Sequence, residues 1–237
     1  MKDKKKIRAS DFYNGVWSRG LRKGRKDFGD LDNDAAFFDE VVSADPSMTV
    51  LDVGCGTGSF CLYLRKTGFQ RVVGVDVSKV ALDEARKKDH CFPFGVMEAG
   101  DLAIASRSVD LCVSFDVAEH VRDAEAYWRE INRVLKPGGC YIFQTPNRCF
   151  NVVSETIRWK GFGWRPHHPS LQSYRSLNKK LKKAGFNRIV LYKRDPLAHF
   201  NLTRLPKFIS TLMKIIPWTR LPFRMQTHFW GVAFKDK

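Results

Sequence analysis

Ten residues, Thr49-Val-Leu-Asp-Val-Gly-Cys-Gly-Thr-Gly58, constrain this chain more than any other stretch. Val50, Leu51 and Val53 make the short apolar run of a strand buried on both faces. The glycines at 54, 56 and 58 then force a sharp turn, after which Ser59 to Leu64 reads as a helix. Glycine lets the backbone bend there and lets a ligand come close, because a Cβ would stand in its way. The helix start next to the turn offers unpaired N–H groups and a partial positive charge. Three readings are open for such a unit: a plain turn, a dinucleotide site or a nucleoside site. The spacing is G-x-G-x-G and not G-x-G-x-x-G, which weighs against a dinucleotide and hydride transfer.

From there the chain is rhythmic. Arg71 to Asp76 reads as a second buried strand ending in an acid, and Ser78 as the cap of a helix whose apolar face is Ala81, Leu82 and Ala85. Cys91 to Met97 is a weaker third strand, ending at Glu98, and Val109 to Phe115 a fourth. Asp123 opens a helix that Pro137-Gly138-Gly139 ends, and Cys140 to Thr145 is a fifth strand. Leu171 to Ala184 reads as a helix, Arg188 to Tyr192 as strand six and Thr227 to Phe234 as a last strand. Strands alternating with helices at this spacing predict a mostly parallel sheet with helices on both faces. Ligands of such sheets sit beyond the carboxyl ends of the strands, where these acids and glycines collect. Residues 1–45, with two apolar helical faces, are expected to form a helical cap on a domain of residues 46–237; residues 195–226 form an insertion before the last strand.

Charge divides the 237 residues into three unequal parts. Residues 1–26 carry ten basic and two acidic side chains, residues 27–157 thirteen and twenty-one, and residues 158–237 eighteen and two, for a net charge of +16. The basic ends suggest a surface for something anionic, whether membrane, nucleic acid or a phosphorylated substrate, against the plainer reading of a solubilising surface. Cysteines 55, 61, 91, 112, 140 and 149 contain no C-x-x-C pair. Neither a zinc ribbon nor a disulfide framework is indicated, and buried reduced thiols are expected. No apolar run follows the basic N-terminus and none is long enough to span a bilayer, so a cytoplasmic chain is expected, with peripheral membrane contact as an addition.

Asp76 stands at the end of the strand beside the glycine turn, where a carboxylate accepts from both hydroxyls of a ribose. Glu98, or Asp101 as its alternative, is placed to reach an adenine amino group. Glycine turn, acid and acid at three successive strand ends make a nucleoside signature. With Val75-Asp-Val-Ser78, Asp116-Val-Ala-Glu-His-Val121 and Arg133-Val-Leu-Lys-Pro-Gly-Gly139, the chain resembles the class I S-adenosylmethionine-dependent methyltransferases, in their ubiquinone-type O-methyltransferase-like branch. The resemblance implies a Rossmann-like seven-stranded sheet whose last strand is antiparallel. It implies that Gly54, Gly56 and Gly58 approach the methionine part of S-adenosyl-L-methionine, that Asp76 takes the ribose, and that Glu98 and Ala99 flank the adenine. Phe115 and Asp116 would line the cleft, and Asp52, Cys55 and Val77 complete the cofactor-binding set that it implies.

A sulfonium methyl is already activated, so such an enzyme chiefly aligns an acceptor and excludes water, adding a base where the acceptor must lose a proton. His120 is read as a structural or substrate-orienting residue or, alternatively, as the general base, with His167 and His168 as further catalytic candidates. Some relatives hold a divalent cation at Glu-x-x-Glu-His; here Asp116 replaces the first Glu, and no metal is expected. The absence of an Asn/Asp-Pro-Pro-Tyr stretch after strand four weighs against methylation of a DNA base. In the insertion, Leu205, Phe208, Ile209, Leu212, Met213 and Ile216 share one helical face, which suits a lid or, over residues 205–224, a membrane contact. The function expected is methyl transfer to a small-molecule or lipid-linked acceptor, at oxygen before nitrogen. An RNA-directed methyltransferase using the basic ends and a non-catalytic cofactor-binding module are the alternatives.

Overall fold

In the computed structural model, residues 8–27, 29–43, 45–195, 211 and 214–237 are described. Two helices lead, α1 (Ala9–Arg22) and α2 (Leu31–Val41), and β1 (Thr49–Val53), α3 (Ser59–Lys66), β2 (Arg71–Asp76), α4 (Lys79–Lys88) and β3 (Phe94–Val96) come after them. Then come β4 (Val109–Phe115), α5 (Ala124–Val134), β5 (Leu135–Pro146), α6 (Arg148–Arg158), α7 (Tyr174–Lys183), β6 (Phe186–Tyr192) and β7 (His228–Lys235).

The seven strands form one sheet in the order β3-β2-β1-β4-β5-β7-β6. The first five run parallel, and β7 is antiparallel to both β5 and β6, the Rossmann-like arrangement expected. Alternation along β1 divides the core: Val50 points to one face and Leu51 to the other. On Leu51's side α5 and α7 bury Tyr127, Trp128, Ile131, Leu177 and Leu181; on Val50's side α2, α3 and α4 bury Phe37, Phe38, Leu64 and Leu82. Leu177 and Leu181 are completely buried, each contributing about 1.5–3 kcal/mol of transfer free energy, which fixes an otherwise lysine-rich helix.

Local signals set the helix starts. Ser78 Oγ accepts from the Ala81 amide at the head of α4, and Asp123 accepts from Glu125 and Ala126 at the head of α5. Four boundaries differ from expectation. β3 keeps only three residues: Pro93, whose carbonyl still accepts from the Gly74 amide, has no N–H to continue the ladder, and a turn precedes it. Pro137-Gly-Gly does not end a helix but bulges β5, whose pairing with β4 shifts between Val109 and Leu111. α7 begins at Tyr174, capped by Ser173, rather than at Leu171. α6 has no counterpart among the helices expected. Cys55, Cys61 and Cys112 are buried as expected, whereas Cys91 and Cys149 are exposed. Most of the apolar face expected over residues 205–216 lies outside the described residues; among those described, no helix is long and apolar enough to cross a membrane.

Candidate active site

The turn after β1 does not offer the amides its glycines suggest. Gly54 and Cys55 both donate to the Val75 carbonyl, Gly58 donates to Cys55, and Gly56 donates to Asp76 Oδ2 at 3.0 Å. The loop therefore presents Cα surface rather than N–H groups. All three glycines have positive φ, which a side chain would strain. A Cβ on Gly54 would lie 2.3 Å from Val117, one on Gly56 2.9 Å from the Trp17 ring and one on Gly58 2.6 Å from Phe94. Trp17 belongs to α1, so the first helix lies directly over the glycine turn.

Asp76, at the end of β2, is held by the Gly56 amide on one oxygen and the Ser78 amide, 2.7 Å away, on the other. Each oxygen retains a further lone pair, which a vicinal diol can use. Burial raises its pKa to about 6 against the opposing effect of those amides. Asn14 of α1 accepts from Ser78 Oγ and the Val80 amide, at 2.9 and 3.2 Å, and ties the helix to the same corner.

Around this corner lie more carboxyls than one site can keep ionised. Asp52 is buried on β1, accepts from the Cys61 thiol at 3.2 Å, and is pushed up to about 7, first by burial and then by Asp76 and Asp27. Asp34 of α2 is 8% exposed and is pushed up to about 9, mainly by burial and then by Asp116, Asp30, Asp52 and Asp27. Such a cluster favours a ligand that brings positive charge. Cys55, expected to meet the cofactor, turns its thiol into the core beside Cys61, and burial pushes that thiol up to about 11.

The remaining cofactor candidates divide. Val77 is half-buried next to Asp76, Ala99 is half-buried against the core, and Glu98 is exposed, bridged to Asp101 by the Asp101 amide. Phe115 is wedged between Phe60 and Trp230, at ring distances of 5.1 and 6.2 Å. Asp116 is exposed with φ of 53°, its amide donating to Gln144 Oε1 at 2.9 Å.

His120 lies past the end of β4, five residues after Phe115. Its Nδ1 lies 2.6 Å from the His167 carbonyl and its Nε2 3.9 Å from Glu119 Oε1. Burial holds His120 below the usual histidine range and lifts Glu119 well above the carboxylate range, so the pair is neutral. Glu119 accepts from Thr145 Oγ1 at 3.0 Å. The structure brings the three predicted histidines together: His120 and His168 rings lie 5.0 Å apart, and His168 Nδ1 is 3.0 Å from Asn151 Oδ1. Yet His167 contributes a main-chain oxygen rather than its ring.

Tyr13 joins the site unannounced, since in sequence it is only one member of an apolar helical face. Its ring sits edge-on to His120 at 5.7 Å, and its hydroxyl donates to the His120 carbonyl at 3.4 Å. Burial, with Glu119 and Asp76, keeps that hydroxyl protonated. Phe12, Tyr13, His120, Arg122, Pro166 and Pro169 border a cavity of about 20 Å³, room for one water. Among the described residues, no group of three His, Cys, Asp or Glu side chains converges as a metal site.

The family model described as "Methyltransferase domain" matches residues 28–191. The chain belongs to that family. Among its relatives are an Arabidopsis thaliana phosphoethanolamine N-methyltransferase, 30% identical over 65% of this chain and 31% of its own length, and a Mesorhizobium japonicum ubiquinone biosynthesis O-methyltransferase, 28% identical over 46% of this chain and 45% of its own. The chain thus spans less than half the length of each. The fold is similar to that of Haemonchus contortus phosphoethanolamine N-methyltransferase 2, solved with phosphomonomethylethanolamine and S-adenosylhomocysteine, at a TM-score of 0.69 and 19% identity over 98% of this chain and 61% of that one. Relatives named for oxygen and for nitrogen acceptors stand side by side, so the ubiquinone-type branch is one neighbour among several.

Proposed function

We propose that this methyltransferase-family chain binds S-adenosyl-L-methionine between the glycine turn and α1 and transfers its methyl to an oxygen or nitrogen of a small-molecule or lipid-linked acceptor. The observation that carries the reading is that one helix roofs two chemically distinct corners: Asn14 and Trp17 of α1 meet the Asp76 corner, and Tyr13 meets His120. The residues suit the cofactor. Asp76 has lone pairs for the ribose, Asp116 stands exposed just past β4, and the carboxyl cluster answers a net positive nucleoside. When bound, the cofactor supplies an electrophilic methyl on a sulfonium.

The protein's part is to orient and to take a proton. Neutral His120, holding its Nδ1 proton on the His167 carbonyl, keeps Nε2 as the basic atom. It takes the proton from a hydroxyl or ammonium acceptor as the nucleophile is needed, while Phe12, Tyr13 and Pro169 exclude water. An oxygen acceptor is favoured, because a buried neutral base does most for a hydroxyl, which must lose its proton.

The test is turnover of labelled S-adenosyl-L-methionine to S-adenosylhomocysteine against a panel of phenols, carboxylic acids and primary amines. Cofactor binding with no transfer to any member would favour the non-catalytic module. Binding and turnover that require RNA, and fall steeply with salt, would favour the RNA-directed reading.

A further inference from the structure

α6 packs Phe150 against Trp218 on its inner side but carries a second apolar stripe on its outer side. Cys149, Val153 and Ile157 recur at every fourth residue, and all three face solvent, Val153 at 58% and Ile157 at 73% exposure. The acid of the helix, Glu155, is the side chain turned inward, where it accepts from Trp159 Nε1 at 2.9 Å. Beyond the helix Trp159 and Phe162 continue the apolar surface, 45% and 57% exposed. Four of the nine large hydrophobic side chains exposed among the described residues thus fall within ten positions. A solvated helix would bury this stripe and expose the acid.

The charge around the patch has one sign. Arg148, Lys160 and Arg165 are exposed beside it, with the Arg165 guanidinium 4.4 Å above the Phe162 ring. The sequence from Thr156 to Arg194 contains no acidic residue. Apolar side chains rimmed by cations match an anionic bilayer, whose headgroups meet the bases while its acyl region receives the hydrophobes. A nucleic acid would use the bases and aromatics but has no partner for Val153 and Ile157, since nucleobases stack on rings.

We propose that the face of residues 149–165, built on α6 and its following loop, is a docking surface for anionic membrane. It is continuous with the candidate active site: the Trp159 ring lies 5.2 Å from that of His167, whose carbonyl holds His120. A docked molecule would therefore open its acceptor side at the lipid interface. The surface uses residues other than those of the segment 205–224 considered from sequence, and it does not depend on what is methylated.

The experiment is sedimentation of the full chain with vesicles, without cofactor or acceptor, in about 0.1 M salt. The chain is expected to pellet with phosphatidylcholine vesicles containing phosphatidylglycerol and to bind pure phosphatidylcholine about fivefold more weakly for each basic residue engaged. The double variant Val153→Asp, Ile157→Asp is expected to lose at least about tenfold in partitioning. Val153→Ser with Ile157→Ser is expected to lose less, with an unchanged thermal midpoint for both because the sites are exposed. Trp159 emission should move to shorter wavelength on the anionic vesicles, a change absent in Trp159→Phe. Failure of the wild-type chain to pellet, or equal pelleting of the double variant, overturns the proposal. So does a dimer dissolved by the same substitutions in a chain that ignores vesicles, or single-stranded RNA binding in their place. Because the assay measures no methyl transfer, its failure leaves the proposed function standing, and the converse also holds.

Discussion

His120 and His167 are joined through one ring nitrogen and one main-chain oxygen, 2.6 Å apart. A carbonyl only accepts, so the proton of that bond sits on Nδ1 and Nε2 keeps its lone pair. His120→Ala is therefore expected to lower kcat by about 10²–10⁴-fold with little change in cofactor affinity. His167→Ala keeps the carbonyl and should fall short of even the lower end of that range. Wild-type activity should rise with pH through a pKa below the ordinary histidine value of about 6.5 and stay level above it, because burial disfavours the charged ring. Steady-state kinetics from about pH 5 to 9 check all three.

Asp76 gives a second titration. Its carboxyl takes up a proton as pH falls through about 6, and the protonated form has lost an acceptor for the ribose. Affinity for S-adenosyl-L-methionine should be level above that pH and decline below it. Asp76→Ala should raise Kd on the order of 10²-fold at neutral pH, as expected from losing charge-assisted hydrogen bonds. Calorimetry reads both, and unchanged affinity in Asp76→Ala would remove the ribose assignment.

Gly54→Ala tests the turn. With φ of 79° and a Cβ 2.3 Å from Val117 Cγ2, the variant meets both backbone strain and a clash. A loss of about 2–4 kcal/mol is expected, lowering Tm by roughly 5–15 °C. Adding Val117→Ala should restore only the steric share, leaving the φ penalty visible in the thermal melt.

Asp34 contributes to pH-dependent stability with a definite sign. Its folded pKa of about 9 lies above the ordinary 3.8, so its contribution is complete at acid pH and is lost progressively as pH rises between those values, until the folded group ionises at about 9. Asp34→Asn, which cannot ionise, should equal wild type near pH 4 and exceed it by up to about 5 kcal/mol at pH 8, at roughly 1.4 kcal/mol per pH unit. Denaturant unfolding at the two pH values measures the difference.

The strand ends were legible because they are local. Val50 to Gly58 states a strand and a turn within ten residues, Arg71 to Ser78 a strand and a cap, and the fold obeys them. The features that were not legible are non-local or contrary to pattern. Tyr13 acquires its place from His120, 107 positions away, and Asp34 from carboxyls on other elements. Pro137-Gly-Gly carries the composition of a helix stop, but pairing of Leu135 with Val109 extends the strand through it. α6 is the exception: Cys149, Val153 and Ile157 recur at helical spacing, a local signal that could have announced it.

The helix that places Trp17 over Gly56 also places Phe12 and Tyr13 beside the small cavity at His120. On the function proposed above, moving that helix to admit a nucleoside would disturb the acceptor corner as well. Product-inhibition kinetics are then expected to show an ordered sequence, with the nucleoside binding before the acceptor.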